Sequence, residues 1–161
     1  MLVNPADPVN ADSTVNGVQA AAGAIGLQIQ VVQASSSSEI DAVFAMFAGQ
    51  RPDALYVGGD SVLNSRRLQL ALLAARHAVR ASYGSRDYPE SGGLMSYGTN
   101  VTDAFRQIGI YTGRILKGSK LEDLPVVQAS KFELVINIQT ARVLGLTVPA
   151  SLLAIADEVI E

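Results

Sequence analysis

Apolar residues in the first hundred positions follow two alternating rhythms, short continuous runs and then stripes at helical spacing. Leu2 and Val3 end a run at Asn4-Pro5, after which Val15, Val18, Ala22 and Ile25 fall on one helical face. Residues 27–32 form the next run. Ser36 and Glu39 then stand at capping-box spacing ahead of Ile40, Val43, Phe44 and Phe47, which predicts a helix start there. A third run, 54–57, stops at Gly58-Gly59-Asp60, and residues 64–78 read as a helix with Leu68, Leu72 and Ala75 inward. Residues 79–83 and 93–97 complete a set of five strands. Short strands alternating with helices imply βαβ crossovers, hence an α/β fold with a doubly wound parallel sheet covered on both faces.

The rhythm breaks after Gly98. Thr99 and Asn100 are cap residues for an amphipathic helix carrying Val101, Ala104, Phe105, Ile108, Tyr111 and Ile115, which closes near Lys117-Gly118. A polar stretch to Leu124-Pro125 follows, then an alternating strand at 132–138, a short helix up to Leu144-Gly145, Pro149, and a last apolar run at 155–160. One helix with two separated strands is poor material for an independent fold. Residues 1–97 are therefore expected to form a lobe and 98–161 to lean on another body.

Composition narrows the function classes. With 48% hydrophobic and 17% charged residues the chain has ample apolar surface for a core. Twelve Lys and Arg against 15 Asp and Glu, a net charge of −3, leave no basic stripe for phosphates, so nucleic acid is not an expected partner. The apolar run 68–75 is far short of the roughly 20 residues that span a bilayer. Met1 leads straight into LVNP, so no secretory signal is read here, and an exported parent would carry its signal upstream. The chain has no Cys for disulfides or thiol chemistry.

Catalytic chemistry finds little to work with. The single His, His77, sits in a helix before the fourth strand, at the amino end of the sheet, whereas sites in open α/β sheets lie at the carboxyl ends. No metal-ligand spacing, no GxGxxG after the first strand and no GxxxxGK[ST] occur, so no metal or other cofactor is expected and the chain does not read as an enzyme. The serine run 35–38 reads as a loop and helix cap, with a phosphate cradle as the remote alternative.

What remains is a set of polar groups where strands end: Asn4 after the first strand, Gly58, Gly59, Asp60 and Ser61 after the third, Tyr83 and Arg86 after the fourth, and Ser96 and Tyr97 after the fifth. These could line one ligand-binding cleft, or serve as turn formers and caps only. Arg86, near Tyr83 and Tyr88, could hold a ligand carboxylate in bidentate fashion or pair with Asp87 or Glu90. Three functions stay open: a solute receptor, a sensory or regulatory ligand-binding domain of the same fold, and a flavodoxin- or receiver-like enzyme using Asp60. The last lacks an acidic metal-binding pair after strand one, where Asn4-Pro5-Ala6 stands.

Longer strings point further. LVNPADP at the start, ALYVGGDSVLNSRR at 54–67, ESGGLMSYGTN at 90–100 and the segment from GRILKGSKLEDLP at 113 to ADEVIE at the end together resemble the tryptophan-binding-protein-like group of ABC-transporter substrate-binding proteins. The resemblance covers essentially the whole chain. It implies a type I periplasmic-binding fold of two α/β lobes joined by a hinge and closing on a small, amino-acid-like solute. It further implies an ABC permease as partner and a periplasmic or membrane-anchored extracytoplasmic parent. By that template residues 2–97 are the second lobe and the rest crosses back to complete the first, which precedes Met1. The helix face Val101, Phe105, Ile108, Ile115 and the strand at 132–138 would then need a cover, either a homodimer partner or the lobe itself.

Overall fold

Strands too short to be stable singly are assembled here by helices that return the chain across one sheet. The computed structural model describes residues 1–127 and 131–161. Its strands are β1 (Leu2–Val3), β2 (Val32–Gln33), β3 (Leu55–Val57), β4 (Ala81–Tyr83), β5 (Met95–Thr99), β6 (Phe132–Asn137) and β7 (Glu158–Ile160), and they lie in the order β2-β1-β3-β4-β5-β6-β7. All neighbours are parallel except β5 and β6, which pair antiparallel with Tyr97 opposite Leu134. The α/β, doubly wound expectation holds.

The helices are α1 (Pro8–Ala24), α2 (Ser37–Gly49), α3 (Ser61–Ser65), α4 (Arg67–Arg76), α5 (Asp87–Glu90), α6 (Val101–Leu116), α7 (Ile138–Val143) and α8 (Ala150–Ile155), with a 3-10 turn at Leu121–Asp123. Their starts are chemically marked. Asp7, Ser36, Asp60, Asn100 and Asn137 each accept a backbone N–H three residues on, satisfying donors the first turn leaves free. Glu39 completes the α2 start by accepting from the Ser35 amide at 2.7 Å, one residue earlier than the capping-box pattern places it.

Side chains alternate across the sheet and build a core on each face. Leu2, Leu55, Val57, Ala81 and Tyr83 pack on Ile40, Phe44 and Phe47 of α2, Leu63 of α3 and Leu70 and Ala74 of α4. On the other face Val3 meets Ala11, Val15 and Val18 of α1, with Tyr56 alongside. His77 caps the carboxyl end of α4 with its ring 5.9 Å from that of Phe44, away from the carboxyl edge of the sheet.

Several elements differ from the sequence reading. The helix expected over 64–78 is two helices meeting at Arg66, and the buried positions are Leu70, Ala71 and Ala74, while Leu68 and Leu72 are exposed. Both sets have helical spacing; the break at Arg66 turns the second onto the core. The run 27–32 becomes a strand only at its end, because β2 is an edge that bonds to β1 alone. Residues 93 and 94 precede β5, which runs to Thr99. α5 and α8 had no signal in the apolar pattern.

The chain leaves the sheet at Asn100 and returns at Lys131, where the Asn100 amide donates to the Lys131 carbonyl at 2.9 Å. Between them α6 buries no side chain, and Phe105, Ile108 and Leu116 stand exposed. Its apolar stripe was legible, and nothing among the described residues buries it. β6 and β7, expected to serve another body with the rest of 98–161, instead bond into this sheet, so the strand edge at 132–137 is covered by β5 without a second copy.

Candidate functional site

The connections from β1 run to β2 on one side, while β3 lies on the other, so the chain reverses its direction of winding between β1 and β3. Loops diverge there and leave a crevice at the carboxyl ends, where open α/β sheets bind ligands. Asn4 fills the floor and is buried. Its Nδ2 donates to Asp60 Oδ2 at 3.1 Å, and its Oδ1 accepts from the Ala6 amide at 3.0 Å. Asp60 Oδ1 accepts from the Leu63 amide at 2.9 Å. One side chain thus ties the ends of two strands while the other starts a helix.

The first turns of α1 close the crevice. Asn10 Nδ2 donates to the Gly59 carbonyl at 2.5 Å, and Gly58 lets the loops approach, since a Cβ there would stand 3.3 Å from the Leu2 carbonyl oxygen. The result is a shallow depression, open to solvent, with Asn4, Asn10, Thr14, Gly59 and Asp60 around Val3. Ser61 is exposed beside Asp60 at the first position of α3.

The other candidates lie elsewhere. Tyr83 faces the α2–α4 core and stacks on Tyr88, ring centroids 4.1 Å apart and planes 11° apart. Burial pushes both phenols well above their usual pKa; the neighbouring Tyr88 adds to the effect on Tyr83, and the Asp60 charge to that on Tyr88. Among the described residues the Tyr83 hydroxyl and Ser96 Oγ, both buried, find no hydrogen-bond partner. Tyr97 points to the opposite face from Ser96, largely exposed, and stacks on Phe132 at 5.9 Å.

Arg86 is committed to carboxylates. Its Nε meets Glu90 at 2.8 Å, Nη1 meets Glu133 at 3.2 Å and Nη2 meets Glu158 at 2.5 Å. The hydrogen bonds it donates to Glu90 and Glu158 raise its already high pKa. Glu133, on β6 and buried, also accepts from Asn100 Nδ2 at 2.7 Å, while Asp87 bonds to Ser85 Oγ instead of to Arg86. Of the ion-pair partners named from sequence, Glu90 is the one engaged. Glu133 and Glu158 arrive from strands 47 and 72 residues away, beyond the reach of local pattern.

The fold therefore brings Asn4, Gly59, Asp60 and Ser61 together, buries Tyr83 and Ser96 and commits Arg86 to carboxylates. Asn10 and Thr14 were not foreseen. Their signal was present, because they follow the Asp7 cap at helical spacing on the side of α1 that turns toward the loop after β3. Among the described residues no group of three or more His, Cys, Asp or Glu could hold a metal ion, and no helix is long and apolar enough to cross a membrane.

Known proteins share this fold. The family described as ABC transporter substrate binding protein matches residues 1–160. A Streptococcus pneumonia ABC domain solved in complex with L-Trp superposes with a TM-score of 0.87 at 27% identity over 99% of this chain and 53% of its own. A conserved domain protein from Vibrio cholerae gives a TM-score of 0.86 at 25% identity over 98% of this chain and 53% of its own. The ligand-free, open substrate-binding protein CD0873 from Clostridium difficile shares the fold, with a TM-score of 0.72 at 21% identity over 99% and 52%. The chain thus spans about half the length of each of these structures. No curated protein matches the sequence.

Proposed function

Because the chain belongs to the ABC transporter substrate-binding protein family, we propose that it forms one wall of a receptor that holds a small, amino-acid-like solute and presents it to an ABC permease. Three facts support this reading. The pocket sits at the reversal point of the sheet, where Asn4 and Asp60 join the ends of β1 and β3. A relative of the same fold was solved with L-Trp bound. The chain spans 53% of that relative, as expected if the solute lies between this wall and a second lobe that closes on it.

Asn4, Gly59, Asp60 and Ser61 make the solute-facing wall in this reading, and Tyr97 is its outer margin. The parent works outside the cytoplasm, periplasmic or membrane-anchored, and the chain performs no chemistry on its solute. A receiver-like enzyme would need an acidic partner for Asp60, and the residue bonded to it is the amide of Asn4. The apolar face of α6 is where the second lobe, or a second copy of this chain in its place, would pack.

The observation that carries the proposal is the Asn4–Asp60 bridge, and calorimetric titration with the common L-amino acids tests it. Binding of at least one amino acid is expected. Asn4→Ala should weaken that binding about tenfold or more, because Asp60 loses the donor that orients it. A panel without heat for any amino acid, titrated into the protein that joins this wall to its second lobe, would overturn the amino-acid reading.

A further inference from the structure

Basic residues look evenly spread along the chain, yet four of them gather at the two ends of one helix. Residues 61–80 carry four Arg and no Asp or Glu, a formal charge of +4, whereas the remainder carries eight Lys and Arg against 15 Asp and Glu, or −7. Arg66 and Arg67 stand at the start of α4, Arg76 at its end and Arg80 just beyond it. Composition, averaged over the whole chain, hides this local excess.

These arginines are not neutralised. Among the described residues the ion pairs are those of Arg86, Arg106 and Lys120, and none involves Arg66, Arg67, Arg76 or Arg80. Arg66, Arg76 and Arg80 are exposed, while Arg67 is half-buried with its Nη1 donating to the Asn64 carbonyl at 3.3 Å. The carboxylate bonded to α4, Asp41 of α2, accepts from Gln69 Nε2 at 2.8 Å, on the side turned to α2.

Between the arginines lie Leu68 and Leu72, 61% and 68% exposed, one turn apart and on the same face as Arg76. Burial of Leu70 and Ala74 in the core fixes this orientation. A basic helix that shows leucines to solvent and lies flat on a fold has the pattern of an interfacial segment, in which arginines take lipid phosphates in bidentate fashion and leucines enter the headgroup layer. Other anionic partners fit less well. A nucleic acid backbone would meet leucines where it needs donors. An acidic protein needs an interface of roughly 1,000 Å², and ten residues of helix offer a flank only about 15 Å long.

We propose that α4 docks this lobe on an anionic phospholipid surface, with Arg66, Arg76 and Arg80 on the headgroup phosphates and Leu68 and Leu72 in the headgroup layer. No residue of α4 lines the crevice, which is built from β1, α1 and the segment 58–63, so docking leaves that wall clear. The remainder of the chain, at −7, is repelled by the same surface, which orients the molecule with α4 toward the lipid.

The test is co-sedimentation of the chain with vesicles of phosphatidylcholine alone and of phosphatidylcholine and phosphatidylglycerol in equal parts. Binding to the mixed vesicles only is expected, and it should weaken as salt rises. Each arginine near such a surface contributes roughly fivefold in affinity, so Arg66→Gln, Arg76→Gln and Arg80→Gln together should weaken binding on the order of a hundredfold. Leu68→Ser with Leu72→Ser should weaken it about tenfold at constant charge. The exposed stripe of α6 supplies the control, and Arg106→Gln with Arg114→Gln there should leave binding unchanged. Absence of binding to the mixed vesicles, equal binding to both vesicle types, no loss in either α4 variant, or a loss that follows the α6 pair instead overturns the proposal. Arginine-dependent binding of poly-L-glutamate without binding to vesicles overturns it in favour of an acidic protein partner. Should the triple variant not fold, Arg76→Gln alone is expected to weaken binding roughly fivefold, and an unchanged affinity is then equally fatal.

Discussion

Gly98 tests the packing of the wall most sharply. It lies in β5 beside the loop that follows β4, and a Cβ built on it would be driven into the Gly84 carbonyl group, 2.7 Å from its carbon and 3.3 Å from the Gly84 Cα. The obstructing atoms are backbone, so no rotamer change relieves them. Overpacking that must move backbone belongs at the upper end of the usual range, so Gly98→Ala should cost about 3 kcal/mol or more. For a chain of this size that corresponds to a fall in Tm of about 6–12 °C. Gly17 in α1 and Gly109 in α6 are internal controls, since a Cβ at either meets nothing within 4 Å. Gly17→Ala and Gly109→Ala should stabilise by about 0.5–1 kcal/mol through helix propensity. Urea and thermal melts followed by circular dichroism measure all three. A Gly98→Ala melt within 0.5 kcal/mol of the parent, on the order of the scatter for neutral surface changes, would refute the close approach of β5 to Gly84.

Other expectations follow from the same contacts. Phe44→Ala should cost about 3–5 kcal/mol and Phe105→Ala under about 0.5 kcal/mol, since Phe44 is fully buried and Phe105 lies on the open face of α6; equal losses in urea melts would contradict the exposure of that helix. Arg86→Met should cost about 3 kcal/mol by leaving Glu133 buried with Asn100 as its remaining donor, and a neutral result would show that the cluster does not hold. Burial raises the pKa of Tyr83 and Tyr88 above the unfolded value, so the stability this burial contributes is complete below about pH 10 and is lost as pH rises toward the folded values. In an alkaline titration, absorbance at 295 nm should show two of the five tyrosines ionising only as the circular dichroism of the fold is lost. Ionisation of all five with the fold intact would refute their burial.

The sequence by itself determined the βα rhythm, the starts of α2 and α6 and the placement of Asn4, Gly59, Asp60 and Ser61 at strand ends. These are local matters: period-2 and period-3.6 patterns and cap side chains act within a few residues and need no distant partner. The apolar stripe of α6 was equally legible, but a stripe does not name what it packs on. Tertiary structure alone decided which side of the 67–76 helix faces inward, because two helically spaced sets competed and the break at Arg66 chose between them. It also decided the fate of Tyr83, Ser96 and Arg86. Tyr83 and Ser96 lie opposite each other in β4 and β5, so sheet register carries both to the covered face. For Arg86 the sequence offered only the local partners Asp87 and Glu90, because Glu133 and Glu158 are brought to it by the pairing of β6 with β5 and of β7 with β6. An ion pair between residues 47 or 72 positions apart leaves no periodic trace in the chain, since only the fold brings the two charges within reach.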